Sequence, residues 1–205
     1  MKSVFLILSA ALTFSTAQAS LVTSITGQKI SFPELTDPYV DEYQVTSEIT
    51  WTGENSLFGY SGLFGFNDNG TWDGTPAYTV AGGLSSAYVF SFSNPVAAVG
   101  GILNSISEEY AYMAIFDSNY DFIEDYDLSI NNSTGAGEFH GFQRPTNEIS
   151  HFLLGGGHIA LRDLTIAYAP LAAVPEPETY ALLLAGLGLV STAARRRAKH
   201  PALTT

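Results

Sequence analysis

The chain contains no cysteine, so no disulfide bond can stabilise its fold. Small secreted domains often depend on such bonds, whereas a chain of domain length can bury a sufficient hydrophobic core without them. Residues 20–174 are long enough for about one domain. We therefore expect this body of the chain to be stabilised by side-chain packing alone.

Positive charge is also scarce, and its scarcity excludes one class of partner. The chain has eight Lys and Arg residues against twenty Asp and Glu residues, which gives a net charge of −12. Within residues 20–174 only Lys29, Arg144 and Arg162 balance eighteen acids, so the body is near −15. Nucleic acid needs a positive footprint on its protein, so we expect no nucleic-acid partner. The same charge repels anionic lipid surfaces and attracts cations.

Helical periodicity is missing from the body as well. No window repeats apolar residues about every 3.6 positions over the length of a helix. Short runs of alternating polarity, such as residues 45–51, indicate strands separated by Gly, Asn, Asp and Pro. Residues 110–116 and 122–130, joined by polar residues 117–121, form the clearest β-hairpin pattern. The sequence thus predicts an all-β, antiparallel β-sandwich over residues 20–170.

The first nineteen residues have the pattern of a secretory signal peptide. Lys2 is a short basic region, residues 4–12 are apolar, and Ala17 and Ala19 form an A-x-A cleavage site. We expect signal peptidase to remove residues 1–19, and the apolar run is too short for a spanning helix.

The C-terminal stretch has three parts in a fixed order. A linker at residues 171–178 contains Pro175, Glu176 and Pro177, and prolines keep such a segment extended and accessible. Residues 179–194 carry no charge, and their apolar core from 180 to 194 reaches about 22 Å as a helix, short of the roughly 30 Å hydrocarbon layer. Flanking arginines extend that reach, so the run predicts a single transmembrane helix. The tail at residues 195–205 places a basic cluster on the cytoplasmic side as a membrane stop: Arg195, Arg196 and Arg197.

This tripartite order resembles the PEP-CTERM sorting signal of exported bacterial proteins. The resemblance implies a chain exported through the inner membrane and anchored there by its C-terminal helix until processing. Its processing enzyme would be an exosortase, a membrane-embedded peptidase. The expected destination is the cell surface or extracellular matrix of a Gram-negative-type bacterium.

Four stretches of the body resemble a β-sandwich domain found in many exported proteins with this signal: residues 65–72, 92–101, 115–119 and 159–165. The resemblance implies a two-sheet sandwich of jelly-roll or carbohydrate-binding-module type. It brings no assigned activity and no catalytic residues.

One polar loop is a candidate ligand site. Its amides and carboxylates could bind sugar hydroxyls or calcium, while the Trp72 ring could stack on a pyranose; the candidates are Asn67, Asp68, Asn69, Trp72 and Asp73. The alternative is a plain turn that pins Trp72 into the edge of the sandwich.

A second candidate is a calcium turn formed by Asp117, Asn119 and Asp121, spaced two residues apart. It is not an EF-hand, because Phe122 stands where that loop needs glycine and Leu128 where it needs glutamate. An ordinary hairpin turn is the alternative.

No pattern for catalysis stands out, and no cofactor is implied apart from calcium as an alternative. His140, His151 and His158 could converge on a metal, but they lack the spacing of known zinc motifs. We therefore expect no enzyme but a structural or weakly glycan-binding protein of an exopolysaccharide-rich envelope or biofilm. The alternatives are a secreted polysaccharide hydrolase and a calcium-dependent adhesion module.

Overall fold

The computed structural model describes residues 20–73, 76–82, 86–107 and 109–170. The chain divides into two compact units, Met1–Ala169 and Pro170–Thr205, and the described residues belong almost entirely to the first. The predicted signal peptide, Pro-Glu-Pro linker, transmembrane helix and basic tail all lie outside the described residues. Among the residues that are described, no helix is long and apolar enough to cross a membrane.

The described body consists of strands and a single 3-10 turn at Asn67–Asn69. The strands are β1 (Ser20–Val22), β2 (Gln28–Ile30), β3 (Glu42–Thr46), β4 (Ile49–Gly53), β5 (Ser56–Tyr60), β6 (Phe64–Gly65), β7 (Thr71–Trp72), β8 (Tyr78–Ala81), β9 (Ala87–Val96), β10 (Ala98–Asn104), β11 (Ala111–Phe116), β12 (Phe122–Leu128), β13 (Glu138–Gln143), β14 (Ile149–Gly156) and β15 (Ala160–Ala167). The all-β, antiparallel prediction is confirmed.

The strands form two main sheets. The seven-stranded sheet has the order β1-β13-β10-β15-β8-β5, with β2 also paired to β15, and the six-stranded sheet has the order β12-β11-β14-β9-β4-β3. Side chains from both sheets contribute to one hydrophobic core. The Phe142 ring of β13 lies 6.5 Å from the Phe152 ring of β14, so the core joins the two sheets.

Two strands of the six-stranded sheet, β4 and β9, follow the period-two rule for strands with one buried face. On β9, Tyr88 and Phe90 are buried while Val89 and Ser91 are partly exposed, and β4 alternates in the same way around Trp51. One face of this sheet therefore packs into the core, and the other face is open.

The predicted hairpin of residues 110–116 and 122–130 is confirmed, because β11 pairs with β12 in antiparallel register. A single strand over residues 45–51 is wrong. The chain turns there, and β3 and β4 pair as a tight hairpin. The Thr46 hydroxyl accepts a hydrogen bond from the Glu48 amide at 3.1 Å, a local turn contact that competes with a continuous strand.

Candidate functional site

Trp72, the predicted stacking platform, is buried with 3% of its surface exposed. Its ring packs edge-on against Phe66 and Tyr78 at 5.2 and 5.3 Å between centroids, and its indole N–H donates to the Gly135 carbonyl at 2.6 Å. The Arg162 guanidinium lies 4.6 Å from the ring centroid. A sugar cannot stack on a ring enclosed in this way. Trp72 therefore has the position expected from the alternative interpretation, in which the loop is a plain turn that pins the ring into the sandwich.

Asn69, from the same predicted site, is 1% exposed and uses its amide group internally. Its side-chain nitrogen donates to the carbonyls of Ser105 and Ile130, each at 2.9 Å. Its side-chain oxygen accepts from the Asn132 amide at 3.2 Å. A buried amide with these partners links three parts of the chain and has little capacity left for a ligand.

The neighbouring candidates Asn67, Asp68 and Asp73 are not buried. A sugar that contacted them could reach neither the Trp72 ring nor the Asn69 amide, because both side chains are buried. Asn67 adopts a left-handed φ of 53°, and the backbone amide of Asp68 donates to the Ser107 hydroxyl at 3.3 Å. These contacts are those of a structural turn.

The candidate calcium turn is organised by one of its own side chains. Asp117 Oδ1 accepts hydrogen bonds from the backbone amides of Asn119 and Asp121 at 2.8 and 2.9 Å. That oxygen is therefore committed to the turn rather than free for a cation. The described residues contain no group of three or more His, Asp or Glu side chains that could hold a metal ion. The geometry is that of an ordinary hairpin turn.

The three histidines of the body have separate partners. His140 lies 3.2 Å from Glu138 on its own strand, and His158 lies 2.9 Å from Glu109. His151 pairs with neither of these two carboxylates. The structure therefore does not bring the three rings together on one metal.

The open face of the six-stranded sheet brings together side chains that are far apart in the sequence. Strand register places one residue from each strand in a single cross-strand row: Gln44, Thr50, Ser91, His151, Phe116 and Phe122. Cross-strand neighbours of this kind lie about 5 Å apart. The row shows that β11 and β12 present aromatic rings on the same open face.

Five aromatic rings at this end of the sheet make up what we call the aromatic face: Tyr110, Tyr112, Phe116, Tyr120 and Phe122. Three of them are more than half exposed, with Tyr110 at 59%, Tyr120 at 63% and Phe122 at 61%. Tyr110 stacks on Tyr112 with centroids 5.6 Å apart, and Phe116 meets Phe122 edge-on at 6.0 Å. Within each of these two pairs the rings hold one another in place while leaving surfaces open to solvent.

The position of Tyr112 depends on a glycine in the next strand. Gly155 is its cross-strand partner, and a Cβ atom built on Gly155 would lie 2.8 Å from the Tyr112 ring. The ring therefore lies over the bare backbone of Gly155. Any larger residue at position 155 would displace it.

Tyr120 covers His151. The two rings are parallel within 16° with centroids 3.7 Å apart, and His151 is 9% exposed. The His151 Nδ1 atom lies at hydrogen-bond distance, 3.0 Å, from the Ser91 hydroxyl. Burial lowers the pKa of His151, and the nearby Asp117 carboxylate opposes that shift.

Acidic residues stand beside the rings. Asp125 and Asp127 of β12 are exposed, and Asp127 lies opposite Tyr112 in the register. Asp127 Oδ1 accepts a hydrogen bond from the Tyr110 hydroxyl at 2.6 Å, and this bond raises the pKa of Tyr110. Exposed charges of this kind protect a sheet edge from pairing with another strand, and β12 is an edge strand of the six-stranded sheet.

A shallow depression of about 520 Å³ lies at the other end of the open face. Its lining includes the acids Asp41 and Glu54 and, from the sheet itself, Thr52 and Val89. The open face thus has acids at both ends and aromatic rings at one end.

Each cation of the described body is engaged elsewhere. Lys29 forms a 2.9 Å ion pair with Asp163, and Arg144 forms an ion pair with Glu148. Arg162 lies over the Trp72 ring and donates to the Ala136 carbonyl at 2.9 Å.

Residues 173–197 match the family model described as the PEP-CTERM protein-sorting motif. No significant match exists among curated proteins, and none among solved structures. The matched residues include Pro175, Glu176 and Pro177 and the three arginines from 195 to 197.

The chain therefore carries a PEP-CTERM sorting motif, as the sequence predicted. The motif marks an exported protein that is sorted through its C-terminus to the cell surface and processed by an exosortase, a membrane peptidase. The motif does not extend into the β-rich body.

Proposed function

We propose that this protein is a sorted surface protein whose β-rich body binds polysaccharide through the aromatic face. The observation that carries the proposal is the set of aromatic rings on the open face of the six-stranded sheet, which pack as the pairs Tyr110–Tyr112 and Phe116–Phe122 and as Tyr120 on His151. Contiguous exposed apolar patches on soluble domains commonly mark interaction sites.

A polysaccharide chain suits the chemistry of this surface. A pyranose has an apolar C–H face that can stack on a ring such as Tyr112, while its hydroxyls need hydrogen-bond partners. The Tyr110 hydroxyl and the carboxylates of Asp125 and Asp127 lie beside the rings and supply them. An aromatic body with a polar tip is the combination that tyrosine brings to binding surfaces.

The architecture supports the same proposal. Two antiparallel sheets with a joint core leave one broad sheet face free, as expected of a sandwich of carbohydrate-binding-module or jelly-roll type. The ligand would lie across the strands on that face, rather than in the loop around Trp72.

The sorting signal supports the proposed setting. Pro175, Glu176 and Pro177 would be the extended backbone that the peptidase recognises, the apolar run would hold the precursor in the membrane, and Arg195 to Arg197 would fix its orientation. Processing would then place the body on the surface or in the exopolysaccharide matrix of a Gram-negative-type envelope or biofilm.

We propose binding without catalysis. Glycoside hydrolysis uses two carboxyl groups, one of which is kept protonated by its environment. Among the described carboxyl groups, burial raises the pKa of Glu124, but the Arg144 guanidinium 4.0 Å away opposes that shift. The Ser91 and His151 pair is covered by the Tyr120 ring, which leaves no open approach for a substrate.

The test compares two tyrosines, one in the aromatic face and one outside it. In the full-length chain, Tyr112→Ala should weaken retention on envelope polysaccharide in affinity electrophoresis by about three- to tenfold, the scale of one aromatic contact. Tyr39→Ala is the matched control, because Tyr39 is 75% exposed in the loop between β2 and β3. Equal retention of the two variants would refute the aromatic face as the binding surface.

A further inference from the structure

The acids of the open face lie at both ends of the proposed path of the ligand. The six strands span about 24 Å at the usual spacing between neighbouring strands. Asp125 and Asp127 stand at the β12 end, and Asp41 and Glu54 line the depression at the β3–β4 end. A polymer lying across the strands therefore meets carboxylates near both of its ends.

The cations of the described residues do not offset these carboxylates. Lys29, Arg144 and Arg162 are held by Asp163, by Glu148 and by the Trp72 ring, and none of them pairs with an acid that lines the open face. A polyanion, such as a uronic acid polymer, would meet like charge at both ends of the sheet and would be repelled.

From this complementarity we infer that the ligand of the aromatic face is a polysaccharide with free amino groups, that is, a de-N-acetylated hexosamine polymer. The inference rests on the proposed function and names its ligand class.

An ammonium group can make two favourable interactions at this site that a neutral sugar cannot make. It is attracted to the face of an aromatic ring, and Tyr110 and Tyr112 present such rings side by side. It also forms charge-assisted hydrogen bonds with a carboxylate, and Asp127 lies next to that pair of rings. Stacking supplies a base affinity for any suitable sugar, and the amine adds selectivity.

The experiment uses two oligosaccharides that differ in one group. Chitohexaose carries free amines and hexa-N-acetylchitohexaose carries acetamides on the same backbone. Binding to the full-length chain in detergent is measured by calorimetry at mildly acidic pH, where the amines are charged. We expect the free-amine oligomer to bind about five- to tenfold more tightly, the scale of two exposed charge pairs, and to lose that advantage as salt is added. Polygalacturonate should not bind.

The variant that isolates charge is Asp125→Asn with Asp127→Asn, in which the amide oxygen at position 127 can still accept the Tyr110 hydrogen bond. It should abolish the preference for the free-amine oligomer, so that the two oligomers bind equally. Any weakening that comes from hydrogen bonds to the sugar hydroxyls should be the same for both oligomers. The matched control is Glu34→Gln with Asp68→Asn, which removes the same charge from exposed positions outside the six-stranded sheet and should retain the preference.

Two results would overturn the inference while leaving the proposed function standing. One is that the acetylated oligomer binds as tightly as the free-amine oligomer or more tightly, and that Tyr112→Ala weakens this binding. The other is a preference for amines that survives the Asp125→Asn and Asp127→Asn changes. Failure of both oligomers to bind, with no effect of Tyr112→Ala on retention by envelope polysaccharide, would overturn the inference and the proposed function together.

Discussion

At the scale of single residues, Trp72 shows how a residue type typical of sugar sites can serve the core instead. Its ring fills a small second cluster together with Phe66, Tyr78, Val80 and Ala160. We expect Trp72→Ala to lower the free energy of unfolding by about 3–5 kcal/mol, as for other large aromatic-to-alanine changes in cores.

Urea denaturation of the full-length variant measures this loss. Leu63→Ala is the control, because Leu63 is 65% exposed and its truncation should change stability by about 0.5 kcal/mol or less. A Trp72→Ala protein as stable as the parent would contradict the buried position of the ring.

His151 gives the protein a stability that depends on pH. Burial lowers its folded-state pKa below the unfolded value of about 6.5, so the unfolded chain binds a proton that the folded protein does not. The contribution of His151 to the free energy of unfolding is complete at pH values above its pKa in the unfolded chain. It is lost as the pH falls from that value towards its pKa in the folded protein. Stability should therefore decrease between neutral and mildly acidic pH.

The change His151→Gln should make that decrease smaller. Unfolding midpoints of parent and variant at a series of pH values give the comparison, and His140 and His158 are present in both proteins, so their effects cancel. Parallel pH profiles would show that His151 does not titrate differently on folding.

At the scale of strands, the pairing of β11 with β14 sets the Tyr112 ring over Gly155. We expect Gly155→Ala to push the far end of the Tyr112 side chain off the sheet and to weaken polysaccharide binding. Stability should change little, because Tyr112 is only partly buried and can move.

Gly65→Ala is a matched control for this prediction. A Cβ atom at Gly65 would find its nearest neighbour, in Thr71, at 4.0 Å, so the new methyl group meets open space. Binding unchanged by Gly155→Ala, as in the control, would mean that the ring position is irrelevant to the ligand.

The strands also show which parts of the structure were predictable. The β11–β12 hairpin is local, so alternation and a polar turn were sufficient to predict it. The five rings of the aromatic face also come from this hairpin and its turn, but their positions over β14, with Tyr112 on Gly155 and Tyr120 on His151, depend on the non-local pairing of β11 with β14. Non-local register of this kind leaves no trace in a short window of sequence.

The polar loop around Asn69 and the turn that begins at Asp117 were misread for a related reason. Asn69 and Asp117 have the composition of ligand-binding residues, but backbone groups of their own chain satisfy them. Sequence shows that a polar group needs a partner and does not show whether that partner is internal.

At the scale of the whole molecule, substitutions in the two halves of the sorting motif should have different effects on the processing and the location of the protein. Replacing Pro175, Glu176 and Pro177 by alanine removes the proposed recognition element but leaves the apolar run and arginines. We expect a longer, unprocessed protein that stays in the membrane. Replacing Arg195, Arg196 and Arg197 by glutamate removes the proposed cationic stop, so we expect precursor to appear outside the membrane.

Immunoblots of membrane and medium fractions, from a host that carries the exosortase, distinguish these outcomes. If the alanine variant were trimmed like the parent, the Pro-Glu-Pro segment would be a linker and not the recognised element.

The most direct test of polysaccharide binding by the aromatic face is hydroxyl-radical footprinting of the full-length chain with and without envelope polysaccharide. Mass spectrometry measures oxidation at each exposed side chain. We predict that polysaccharide protects Tyr110, Tyr120 and Phe122, while Tyr39 and Leu63, which are exposed elsewhere, are oxidised as before. Protection confined to Tyr39 and Leu63, or no protection of the three aromatic-face residues, would contradict the account.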